Sequence, residues 1–196
     1  NTPLTFYTFL SHIIWRDTGE GFCIYSDIAL TIEYFRNSKY LNEKDNIAYI
    51  DLDAHLGNGV SHFFMKDCSF KIFDMFNADI YPSQDEKAKQ RLDFPIYLES
   101  GCKDEVYLDY LKRMLPCFLE DIDNTKFAIY NAGNDVYEND PLGGMNISRQ
   151  AILERDCFVI NELYNRKIPV MMLLSGGYTA VSFEMIADTI YNFMKE

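Results

Sequence analysis

Tyr49-Ile50-Asp51-Leu52-Asp53-Ala54-His55-Leu56-Gly57-Asn58-Gly59 carries an apolar run into two aspartates, a histidine and a glycine-rich turn. The run reads as a buried strand over residues 46–53, and alternate residues of an extended chain share a face. Asp51, Asp53 and His55 then fall on one side. Asp53 and His55 can converge there on one divalent cation, leaving Asp51 to orient a neighbour. Ordinary explanations stand beside this one: Asp53 can cap a following helix, and His55 can be a satisfied core residue. The neighbouring strands decide between them.

Working outward, residues 69–74 and 126–130 read as strands, as does 168–174. Helical spacing of apolar residues marks 22–36, 105–121, 148–165 and 181–194, with an interruption or kink expected at Pro116. Residues 78–104 hold Pro82, Pro95 and many charges, and read as loop plus a short strand around Pro95-Ile96-Tyr97-Leu98. Strands alternating with helices predict an α/β fold, a three-layer sandwich around a mostly parallel sheet. Ligands of such sheets bind beyond the carboxyl ends of the strands. Three of the strands end in polar, glycine-containing segments: Asp53-Ala54-His55-Leu56-Gly57, Asn131-Ala132-Gly133-Asn134-Asp135 and Ser175-Gly176-Gly177-Tyr178. Parallel strands bring these ends to one rim, so Asp53, His55, Asp135 and Tyr178 are candidates for a single site. Taken singly, Asp135 is as well explained by a turn or cap and Tyr178 by packing. Together, the three strand ends favour the site.

The chain has 196 residues, enough for one sizeable domain. Its composition, 48% hydrophobic and 24% charged with 15 Phe and 14 Tyr, is that of a globular protein and argues against disorder. A net charge of −12 argues against a general nucleic-acid binder, which needs a basic footprint, and suits either a solvated surface or a basic partner. The five cysteines are odd in number and have no CxxC spacing, so they read as free thiols. No apolar run reaches the roughly 20 residues of a membrane span.

Two carboxylates and one imidazole leave open positions on a metal ion, the arrangement of a catalytic zinc site. Such an ion polarises a carbonyl and activates water. Tyr178, on a Gly-Gly turn, is placed to hydrogen-bond a developing oxyanion. A general base is also needed, and only His12, His55 and His62 exist. His62, within Ser61-His62-Phe63-Phe64, reads as structural, which leaves His12 as the base and Asp51 as its orienting carboxylate.

These residues resemble the histone deacetylase family, most closely its class IV branch. Gly21-Phe22-Cys23-Ile24-Tyr25-Ser26-Asp27-Ile28 is similar to the family's Gly-Phe-Cys segment, and Asp51 to Gly59 to its metal-binding segment. Tyr130 to Asp135, followed by Asp140-Pro141-Leu142-Gly143-Gly144, resembles the segment with the third ligand; Ser175 to Tyr178 matches the one with the catalytic tyrosine. The resemblance covers about residues 19–196 and implies a partial deacetylase domain over 1–196, with 1–18 unassigned. It further implies Zn²⁺ bound by Asp53, His55 and Asp135, with Tyr178 polarising the acyl carbonyl. Gly21, Phe22, Tyr81 and Gly177 would line a channel for an acyl-lysine side chain, with Leu142 near its mouth. A monovalent cation, K⁺, would sit near Asp51. The reaction implied is hydrolysis of Nε-acyl-lysine on histones or other proteins, acetyl or longer, in the nucleus, the cytoplasm or both. Arginase-like enzymes share the architecture but use Asp-x-His-x-Asp, and here Gly57 stands two residues past His55, which disfavours two metals.

The chain departs from the family at its start. Relatives carry two adjacent histidines before Gly-Phe-Cys; an ungapped count puts His12 on the first and Ile13 on the second, and a one-residue shift puts His12 on the second. One histidine of the pair is missing either way, and the preceding segment lacks glycine. The expectation is an N-terminally incomplete domain, poorly stable alone because part of its sheet is missing. Two readings follow: a zinc-dependent lysine deacylase, or a catalytically inactive module that binds metal or acyl-lysine.

Overall fold

The computed structural model describes residues 4–7 and 26–195, and the fold is stated for these. The strands are β1 (Leu4–Tyr7), β2 (Asn46–Asp51), β3 (Phe70–Asn77), β4 (Phe94–Leu98), β5 (Thr125–Asn131) and β6 (Val170–Leu173). They form one sheet in the order β1-β6-β5-β2-β3-β4, and every neighbouring pair is parallel. The helices are α1 (Asp27–Asn37), α2 (Asn58–Phe63), α3 (Glu86–Arg91), α4 (Asp104–Asp121), α5 (Arg149–Asn165) and α6 (Ser182–Met194). The expected α/β sandwich is therefore present, with a wholly parallel sheet among the described residues.

Strands buried on both faces read as continuous apolar runs, and side-chain alternation splits each run between two cores. Ala48, Ile50, Phe73, Met75, Ala128, Tyr130, Val170 and Met172 point to the core shared with α4, α5 and α6. Ile47, Tyr49, Phe70, Ile72, Ile129 and Leu173 point to the opposite core, shared with α1 and α2. These are the three layers.

Two local features differ from the sequence reading. α4 runs unbroken through Pro116, because Leu111, Leu115, Phe118 and Leu119 bury its face and packing outweighs the lost hydrogen bond. α3 lies inside the segment read as loop. It is six residues long and charged, it buries only Ala88, and it is nucleated by the Asp85 side chain accepting from the Ala88 N–H. No helix among the described residues is long and apolar enough to cross a membrane.

Candidate metal centre

The carboxyl ends of β2, β3, β5 and β6 meet at one rim. β2 stops at Asp51, and the next residues bend. Strand alternation therefore does not bring His55 beside Asp53, contrary to expectation. The aspartates fold the chain themselves. Asp51 Oδ1 accepts from the Asp53 N–H at 3.1 Å, and Asp53 Oδ1 accepts from the His55 N–H at 2.9 Å. Such turns two residues on are typical of Asp.

Asp135 arrives beyond β5. Its Oδ1 accepts from the Ala54 N–H at 2.9 Å, and its Oδ2 lies 2.8 Å from His55 Nδ1. The same Nδ1 is 3.1 Å from Asp53 Oδ1. One ligand atom from each of Asp53, His55 and Asp135 lies within 4.8 Å of the other two. Both carboxylates are fully buried, and the imidazole is 12% exposed.

The turn after β6 covers this cluster. Ser175 Oγ and the Gly176 N–H donate to Asp53 Oδ2 at 2.9 and 3.1 Å, and Gly176 O accepts from the Asn134 N–H at 2.7 Å. A Cβ on Gly176 would lie 2.4 Å from Asp135 Oδ2 and 2.5 Å from Asp53 Oδ2, so a side chain there would displace both carboxylates. Gly177 follows at φ 140°, a conformation glycine adopts without penalty.

Burial works against charge on His55, but its hydrogen bonds to Asp135 and Asp53 outweigh that and push the imidazole up to about 10. Burial, then the charge of Asp53, raises Asp135 to about 7 despite the opposing pull of His55. A cation between the two buried carboxylates is favoured, and here the His55 imidazolium supplies it. The donor set fits a small divalent ion. Tetrahedral zinc with bonds of about 2.0–2.1 Å needs donors about 3.3 Å apart, and the observed separations are 2.8 and 3.1 Å. Adjustments of a few tenths of an ångström bring these two separations to that value, and the third pair lies within 4.8 Å.

Behind the cluster, Asp51 is fully buried and accepts from Tyr49 Oη at 2.7 Å and Asn131 Nδ2 at 2.8 Å. Asp74, inside β3 and level with Asp51 in register, accepts from the Gly57 N–H at 3.0 Å, and burial together with Asp51 raises its pKa well above the usual range. Asp74 Oδ1 and Asn131 Oδ1 are buried without a hydrogen-bond partner among the described residues. A Cβ on Gly57 would sit 2.6 Å from Asp51 Oδ2, so this position has room for no ligating side chain.

Asp140 connects the Leu142 and Tyr178 segments. Its Oδ2 accepts from the Tyr178 N–H at 2.7 Å, and its Oδ1 from the N–H groups of Leu142 and Gly143 at 2.9 and 3.2 Å. A Cβ on Gly143 would meet Asp135 O at 1.8 Å, so this turn lies directly on a ligand's backbone. Leu142 and Tyr178 are 43% and 36% exposed, and Tyr81 is 54% exposed at the cis Tyr81–Pro82 bond. His62 is not part of the cluster: its Nε2 lies 2.8 Å from Asp85 Oδ2, tying α2 to the cap of α3. His12, Ile13, Gly21 and Phe22 lie outside the described residues.

Sequence reasoning gave no role to Asp74 or Asp140. Asp74 lies inside β3, three residues before its end at Asn77 although level with Asp51 in register, so the rule that flagged the other three strand ends passes over it. Asp140 lies in the Asp140-to-Gly144 stretch that resembles the family's third-ligand segment, but nothing in that stretch gave the carboxylate a role.

A wholly parallel α/β sheet with an Asp–His–Asp cluster at its strand ends defines a class of protein whose sheet rim offers three side chains that could hold a metal ion. The family follows from comparison: the histone deacetylase domain model matches residues 11–194, and the chain belongs to this family. It is 36% identical over 186 residues to histone deacetylase 2 of Arabidopsis thaliana, covering 94% of this chain and 46% of that protein. A solved histone deacetylase homologue from Aquifex aeolicus superposes with a TM-score of 0.78 at 23% identity, over 93% of this chain and 49% of the other. An acetylpolyamine aminohydrolase from Burkholderia pseudomallei superposes with a TM-score of 0.73 at 18% identity, over 93% of this chain and 53% of the other. The chain thus spans about half the length of these relatives.

Proposed function

We propose that this chain supplies the metal centre of a zinc-dependent hydrolase acting on Nε-acyl-lysine side chains of histones or other proteins. One observation carries the reading: Asp53, His55 and Asp135 place three ligand atoms within 4.8 Å of one another, beneath a Gly-Gly-Tyr turn. Zn²⁺ held by these residues would polarise the acyl carbonyl and lower the pKa of a bound water.

The other residues position and protect. Ser175 and Gly176 fix Asp53, and Ala54 fixes Asp135. Tyr178, anchored through its backbone by Asp140, donates its phenol to the oxyanion as the amide carbon becomes tetrahedral. Asp51 braces the ligand turn. Together with Asp74 it forms a buried carboxyl pair beside the orphaned Asn131 Oδ1, and a monovalent cation such as K⁺ near Asp51 suits this donor set. Tyr81 and Leu142 form part of the acyl-lysine rim, and the net charge of −12 favours basic tails. His12 is assigned as the base.

The test is hydrolysis of acetyl- and myristoyl-lysine peptides by the zinc-loaded protein. Wild type should turn over at least one of them. Asp135→Ala should lose zinc and activity together, while Tyr178→Phe should keep zinc and lose about 10²–10³-fold in kcat. Zinc binding without any acyl-lysine hydrolysis refutes the reading.

A further inference from the structure

Arg155, on α5, is fully buried, although it touches no ligand of the proposed metal. Its Nε donates to Asp156 Oδ1 at 2.8 Å. The rest of the guanidinium faces two chain segments remote in sequence. NH1 donates to Gly133 O at 2.6 Å and Leu52 O at 3.3 Å; NH2 donates to Asn134 Oδ1 at 3.2 Å and Ala132 O at 3.5 Å. Leu52 immediately precedes Asp53, and residues 132–134 run directly into Asp135.

These carbonyls lie just past the ends of β2 and β5, where the ladder no longer pairs them and a buried acceptor needs another donor. We propose that Arg155 is a positioning residue that fixes the spacing between the two ligand-bearing segments, and through it the distance between Asp53 and Asp135. This rests on the metal-centre reading above.

Only arginine suits the task. A planar fork of donors spans two backbones at once, whereas a lysine ammonium is a single point. Stability alone is a poor reason for the pair, since burying two charges often costs more than their attraction returns. The fork is itself held from behind: Asp156 also accepts from Tyr130 Oη and from Thr189 Oγ1 at 2.7 Å, and Tyr107 Oη adds a second donor to Leu52 O at 3.5 Å.

The experiment compares wild type, Arg155→Lys and Asp156→Asn in the intact protein. Zn²⁺ affinity is measured by chelator competition, the Co²⁺-substituted visible spectrum reports ligand geometry, and thermal melting reports the fold. Arg155→Lys should weaken Zn²⁺ about 10- to 100-fold, the range for residues that orient metal ligands, and should shift the Co²⁺ bands. Asp156→Asn removes the charge but keeps the acceptor for Nε, so it should lower the melting temperature while leaving affinity and spectrum near wild type. If Arg155→Lys does not fold, Asn134→Ala removes one bond of the fork and should weaken Zn²⁺ at least threefold. Wild-type affinity and spectrum in the folded Arg155→Lys protein, or in Asn134→Ala when it stands in, overturn the proposal. So does metal loss in Asp156→Asn equal to that in Arg155→Lys. Failure of wild type to bind Zn²⁺ or Co²⁺ would instead refute the metal centre itself.

Discussion

Gly176→Ala should dismantle the metal centre while sparing most of the fold. The added Cβ would lie 2.4 Å from Asp135 Oδ2 and 2.5 Å from Asp53 Oδ2, where ordinary contact begins near 3.4 Å. Either the two carboxylates retreat by about 1 Å or the turn lifts, and lifting breaks the Gly176 N–H bond to Asp53. Metal ligands tolerate errors of only about 0.2 Å, so both routes spoil ligation. Overpacking should cost about 1–3 kcal/mol of stability, and zinc affinity should fall by about 100-fold, the upper end for residues that orient ligands. Thermal melting with and without Zn²⁺ separates the two effects. At a concentration 100 times the wild-type Kd, metal stabilises wild type by about 2.7 kcal/mol, and by only about 0.4 kcal/mol once Kd has risen 100-fold. For a chain of this size each kcal/mol moves Tm by about 2–4 °C, so zinc should raise wild type by about 5–11 °C and the variant by about 1–2 °C. An equal zinc-induced rise in both proteins refutes the argument that Gly176 is required by its closeness to the carboxylates.

Three further predictions follow from the same geometry. Because Asp135 and Asp53 push His55 up to about 10 against its burial, zinc must displace a proton at neutral pH, and its affinity should rise with pH by about tenfold per unit until that pKa is passed; a flat profile between pH 6.5 and 8 contradicts this. Conversely, the metal-free fold holds this proton more tightly than the unfolded chain, whose histidine titrates near 6.5, so with chelator present stability should decline as pH rises from 6.5 towards 10. Asp140→Ala frees the Tyr178 backbone and the Leu142 turn. It should lower kcat by up to about 100-fold, as misplacing a catalytic group by 1 Å does, without changing zinc affinity; steady-state kinetics beside chelator competition checks both.

The fold was legible because buried parallel strands leave apolar runs and their ends carry polar glycine turns. That logic singles out Asp53, His55, Asp135 and Tyr178 as candidates, and the structure brings the first three together. How they meet was not legible: strand alternation was the wrong geometry, since Asp51 ends β2 and two aspartate turns fold the next four residues. α3 was hidden because a six-residue helix burying one alanine has no apolar period to read. The unbroken course of α4 through Pro116 was hidden because packing, not local propensity, decided it.

Arg155 is the instructive omission, since its signal is present in the helix pattern. α5 buries Ala151, Ile152, Val159, Ile160 and Leu163, and the same stripe passes through Arg155 and Asp156. A helix facing a core should place apolar residues there. Two adjacent charges on the buried stripe mean either that the stripe is wrong or that something inside requires a cation and its counterion. The strand ends answer which: Leu52, Ala132 and Gly133 present carbonyls past the last rungs of the ladder, and the guanidinium accounts for all of them. A charge that breaks an apolar stripe opposite the carboxyl ends of a parallel sheet is therefore a pointer to the site. Here it leads to the same two segments as the Asp–His–Asp cluster, from the opposite side of the sheet's end.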